Sequence, residues 1–171
     1  MKRNTTLITI PVLIALAVGG ADAQTPAVAG AHKAGCIELS TIAEQEKSVT
    51  AADGTVSKQI VPAARIVPGS EVIWTTTARN LCKKPAEQVV IDQPVPEHMV
   101  FVADSVIGAG ALLTLSTDGH DFRASADLTV RSGDGSSRPA AASDVRFVRW
   151  TLTGAIAPQD SRSVRYRATV Q

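Results

Sequence analysis

The chain has 171 residues, 44% of them hydrophobic and only 4% aromatic, with a formal net charge of +1. That length is enough for one domain with its own core. The near-neutral balance excludes a general electrostatic pull towards nucleic acid or an anionic membrane, so any charged recognition must be local.

In chain order, Lys2 and Arg3 form a positive start, Leu7 to Gly20 an apolar run, and Ala21 to Ala23 a small-residue site. This is the pattern of a secretory signal peptide over 1–23, with the mature chain starting at Gln24. The alternative is an uncleaved anchor, but fourteen apolar residues interrupted by Pro11 are short for a bilayer. Cys36 has no lipidation box before it: Lys33-Ala34-Gly35 lacks the leucine and lies far from the apolar run. Removing 1–23 takes away Lys2, Arg3 and Asp22, so 17 basic and 16 acidic residues become 15 of each. The expected product is exported, to the periplasm, the cell surface or the medium, with no membrane insertion and no nucleic-acid partner.

Residues 24–35 are rich in Ala, Pro and Gly without periodicity and read as a flexible arm. Residues 36–171 read as a single β domain. Cys36 and Cys82 are the only cysteines, and in an oxidising compartment a disulfide between them is the expected use. Closing a loop of about 46 residues stabilises by roughly 4 kcal/mol in the chain-entropy picture. A metal-bound or catalytic thiol is the competing reading, but neither cysteine has a CxxC partner or a nearby histidine.

The clearest strand is "EVIWTTTARN", Glu71 to Asn80, alternating with period two after a Pro68-Gly69 turn. "VRFVRWTL" (Val145 to Leu152) and "SVRYRATV" (Ser163 to Val170) alternate in the same way, and "TGAIAPQDSR" between them reads as the loop of an antiparallel hairpin. Shorter strands fit Cys36–Ala43, Gln59–Ile66, Gln88–Ile91, Val100–Val106, Ala111–Ser116 and Ala126–Val130. Thr41 to Thr50 is the one stretch open to a helical reading, and it has no apolar stripe. Strands every ten to fifteen residues with turns between them predict an antiparallel β-sandwich.

"VPGSEVIWTTTARN" followed by "KPAEQVVIDQPVPEHMVFV" resembles a bacterial conserved-repeat domain, domain of unknown function eleven. The matching positions are Pro68, Gly69, Trp74, Asn80, Pro85, Ala86, Asp92, Pro94 and Pro96, and "STDGHDF" and "FVRWTLTGAIAP" resemble its second half. The resemblance runs from Ile66 to Val170. It departs at Asn80-Leu81-Cys82-Lys83-Lys84, where the family carries Asn-Thr-Gly. It implies an Ig-like, Greek-key sandwich of exported and cell-surface proteins, without catalytic residues to carry over.

Chemistry-bearing residues are few. Asp92, Glu97 and His98 lie around Pro94 and Pro96, which cannot donate to a ladder, so the stretch reads as a corner between strands. Asp118, His120 and Asp121 invite a metal reading, yet Asp118-Gly119 is a strong turn signal and the oxygen set is too small for a calcium loop. Gly133 to Ser137 lacks a phosphate-loop spacing and reads as a loop. If the last two strands pair, Arg149, Arg165 and Arg167 share an outward face, suited to an anionic ligand or partner, or simply solvated. The expectation is a non-enzymatic exported module without a cofactor, structural or interacting with envelope or surface proteins, or with itself through an edge strand. The alternative is a small exported hydrolase or metal-dependent enzyme using His98 or His120.

Overall fold

The structure, a computed structural model, describes residues 28–171. The expected signal peptide and the first residues of the arm lie outside them. The rest of the arm is not an irregular tail: Val28–Ala34 is a strand, β1, antiparallel to β2 (Ile37–Thr50) with Ala34 opposite Ile37. Backbone pairing decides this, since a segment without an apolar pattern can still complete a sheet edge. Thr41 to Thr50 belongs to β2 and is strand throughout.

Two antiparallel sheets face each other. The large one contains β1, β2, β3 (Val56–Pro62), β4 (Glu71–Asn80), β11 (Ser161–Val170) and β6 (Met99–Phe101). Its path runs β1-β2-β4-β11-β6, with β3 attached to β2 alone. In the small sheet, β10 (Phe147–Leu152) lies between β5 (Val90–Pro94) and β7 (Ala111–Ser116). A separate hairpin joins β8 (Thr129–Arg131) to β9 (Ser137–Pro139). The molecule is therefore an all-β sandwich, as the alternation predicts.

The core combines one face of the alternating strands with residues of the connections, among them Leu128, Val145 and Ile156. Val148, Trp150 and Leu152 of β10 face Val164, Tyr166 and Ala168 of β11, all buried, with the Trp150 and Tyr166 ring centroids 6.2 Å apart. Rings of this size each bury about 150–250 Å2 and dominate the energetics of a small core. The Tyr166 hydroxyl donates to the Pro94 carbonyl at 2.8 Å, and its burial pushes the phenol pKa up. Gln93 Nε2 donates to Thr41 Oγ1 at 3.3 Å, and Thr41 and Thr76 share a buried hydroxyl contact of 2.9 Å. These few polar contacts fix how the layers sit on one another.

One expectation fails here. The last two strands do not form a hairpin: β10 pairs with β5 and β7, whereas β11 pairs with β4 and β6. Their connection is a crossing between sheets, pinned by the fully buried Ile156. Its N–H donates to Ala86 C=O at 2.9 Å, and its own C=O accepts from the Ala86 N–H and from Asn80 Nδ2. Inward-facing alternation looks the same in two paired strands and in two strands facing across a core.

Cys36 and Cys82 form a disulfide across 46 residues, tying the head of β2 to the segment after β4. Asn80, fully buried, completes that corner: Nδ2 donates to the carbonyls of Lys84 and Ile156, and Oδ1 accepts the Cys82 N–H at 2.8 Å. Where the resembled domain has Asn-Thr-Gly, this chain closes the corner with an asparagine and a disulfide.

Candidate functional site

The three arginines do not share a face. Arg149 lies on the small sheet, where its guanidinium forms a bidentate pair with Asp92 (Nε to Oδ1 2.6 Å, Nη2 to Oδ2 2.7 Å) and stacks 3.6 Å from the Phe122 ring centroid. Arg165 and Arg167 lie on the large sheet. Arg167 reaches two carboxylates, Glu46 on β2 and, at 2.6 Å, Glu71 on β4. The expected stripe rested on a strand pairing that does not occur, and two of its three charges are already matched within the chain.

Asp92 is correspondingly not in a corner. It lies inside β5, opposite Arg149 in register. The strand ends at Pro94, one further bond running from the Val95 N–H to Arg146 C=O, and the turn follows at Pro96–Met99, with the Met99 N–H donating to Pro96 C=O and His98 at φ +61°. Glu97 and His98 are exposed and border an open depression of about 480 Å3 together with Val95, Met99, Arg146 and Gln171.

The "STDGHDF" segment is a turn built on Asp118. Its Oδ1 accepts the N–H groups of His120 (2.8 Å) and Asp121 (3.0 Å) and the Ser116 hydroxyl (2.9 Å). The Asp121 and His120 amides, then Ser116, hold its carboxyl down to about 2. Gly119 takes φ +81° beneath the Phe147 ring, where an added Cβ would come within 2.9 Å of the ring. Asp121 is turned onto Arg123, Nε at 2.9 Å and Nη2 at 2.7 Å. His120 points to solvent and His98 belongs to another turn. Among the described residues no three His, Cys, Asp or Glu side chains are grouped as metal ligands. Gly133 to Ser137 is the tip of the β8–β9 hairpin, closed by Asp134 accepting from Ser136.

The feature that sequence reading misses is the outer half of β2. Up to Glu44 the strand pairs with β4, and from Glu44 to Thr50 it pairs with β3. The two strands form a ribbon closed at Asp53-Gly54, where Asp53 Oδ1 accepts the Thr55 N–H at 2.9 Å and Gly54 takes φ +84°. All of β3 up to Ile60 is exposed, including Val56 at 63% and Ile60 at 45%. At the ribbon's root Glu46 receives Arg167 on one side and Lys58 (3.1 Å) on the other. Those two contacts, Arg167 first, lower its pKa. "AADGT" between two β-capable runs is the signal that could have found it.

Of the other exposed apolar residues, Ile66, Val67 and Ile107 lie in connections and three lie on the small sheet. Val90 and Leu112 flank Thr151 across its outer face, at 47% and 64% exposure, and Leu113 adds to the β7 edge. No helix among the described residues is long and apolar enough to cross a membrane. No family model, curated protein or solved structure matches the chain.

Proposed function

We propose that this chain is an exported, non-enzymatic, Ig-like sandwich that works as an interaction module of the cell envelope or surface. The observation that carries the reading is the β2–β3 ribbon. A two-stranded hairpin gains little stability by itself, yet this one holds exposed β-branched residues and an open edge clear of the core. Backbone offered in this way suits strand addition, in which main-chain hydrogen bonds supply affinity and alternate side chains supply selectivity. The leader-like residues 1–23, the disulfide and the motif likeness to an exported repeat domain support the compartment.

The test is affinity capture from the native envelope with the purified protein and with a variant in which residues 47–57 are replaced by a two-residue turn. Partners retained by the first and lost by the second support the module. Equal capture by both moves the contact surface elsewhere, and turnover of ester or peptide substrates that disappears with His98→Ala or His120→Ala replaces the reading with a hydrolase.

A further inference from the structure

We infer that the free edge of β3 pairs with β3 of a second copy of this chain, about a two-fold axis at Lys58. This rests on the interaction-module reading and names the partner of that same ribbon.

Ladder parity identifies the free groups. The Ala63 N–H donates to Ala43 C=O, and the Ala51 N–H to Thr55 C=O, so the odd-numbered residues of β3 bond to β2. The N–H and C=O groups of Val56, Lys58 and Ile60 therefore point away from the sheet, and nothing among the described residues bonds to them. β2 beyond Glu44 also has a free side, but the residues whose groups face it, Glu46, Ser48 and Thr50, are polar, and two further edges are partly capped. On β7, Arg123 caps Leu115 in both directions, and on β5, Tyr166 occupies the Pro94 carbonyl.

The spacing of residues on this edge is self-complementary. An antiparallel pairing centred on Lys58 sets Val56 against Ile60 of the second copy, and Ile60 against its Val56, with about six main-chain hydrogen bonds between copies. Both side chains lie on the face that carries Glu46, so each exposed β-branched residue meets another across the axis. On the opposite face Ser57 meets Gln59, polar against polar. The two Lys58 ammonium groups come together at the axis, each with its own Glu46 at 3.1 Å, a carboxylate shared with Arg167, which is itself paired with Glu71, so the charges stay balanced. A different register brings Val56 or Ile60 against lysine or leaves it uncovered. Pro62 lacks an N–H and ends the ladder, and a two-fold pairing consumes the same edge of both copies, which closes the assembly as a pair.

The test is sedimentation equilibrium of the purified protein over a concentration series. The expected result is a mass rising from one copy towards two. Lys58→Pro removes an N–H that β2 does not use, and is expected to raise the dimer Kd at least about tenfold, or 1.4 kcal/mol, with an unchanged thermal melt at concentrations where both proteins are monomeric. A wild-type protein that stays monomeric to about 1 mM, or a dimer indifferent to Lys58→Pro, overturns the inference. If that variant misfolds, the double variant Ser57→Cys, Gln59→Cys decides. Oxidation should link position 57 of one copy to 59 of the other, and links of 57 to 57 overturn the register. Envelope capture with Lys58→Pro separates the two readings. A captured protein of another kind on a monomeric chain keeps the module and removes self-pairing, whereas no capture and no dimer removes both.

Discussion

β2 is one strand with two environments. From Ile37 to Ile42 it has β1 on one side and β4 on the other, with Thr41 turned into the core against Thr76 and Gln93. From Glu46 to Thr50 it has β3 alone, and its side chains face water. The hydrogen-bonded geometry continues unbroken while the burial stops. Backbone pairing therefore sets the shape of both halves, and apolar burial sets where the stability lies. A half that contributes little to folding is free to serve another purpose.

The largest effect should come from the core on which the inner half rests. Trp150→Ala removes a ring that is 1% exposed and should cost roughly 3–5 kcal/mol in urea unfolding. Ile60→Ala on the ribbon should cost under about 0.5 kcal/mol at protein concentrations too low for association. Similar losses would show that the ribbon is folded into the core and would break the contrast. Reducing Cys36–Cys82 should come next, at roughly 2–4 kcal/mol, measured by paired melts with and without reductant. Because Cys36 heads the inner half of β2, amide exchange should quicken there first and leave Val56–Pro62 unchanged. Asn80→Ala should cost about 2 kcal/mol, since it strands the Cys82 N–H and one acceptor position of the buried Ile156 carbonyl.

The same division governs what can be read from the residues alone. The two late strands bury one face each, and Glu71–Asn80 buries the face of Val72, Thr76 and Ala78 with Ile73 buried on the other, so alternation makes the strands legible and most of their inward residues. Their assignment to sheets is not legible, because Trp150 and Tyr166 point inward whether their strands pair or oppose. The arginine stripe fails for that reason and no other. The ribbon escapes because its exposed faces impose no pattern, so that "TVSKQIVP" reads as a displaced strand. Asn80 stands out in the sequence only through the motif resemblance, and two of its three bonds depend on loops brought together from positions 84 and 156.

The smallest effect tests the joint between the halves. Arg167 and then Lys58 lower the Glu46 pKa below its ordinary 4.5. A carboxylate with a depressed folded pKa contributes stability that is present above the unfolded value and lost as pH falls through the folded one. Acidification below about pH 4.5 should therefore loosen the ribbon at its root while the neutral core, with Trp150 and Tyr166, remains closed. The measurement is amide protection across 44–62 against that of β4 and β11, corrected for intrinsic exchange, from pH 6 down to about pH 3. Protection in the ribbon should fall first, and Glu46→Gln should show the looser ribbon already at pH 6 with little further change on acidification. Protection that declines together in ribbon and core would mean that the strand behaves as one cooperative unit, leaving no independent arm to offer a partner.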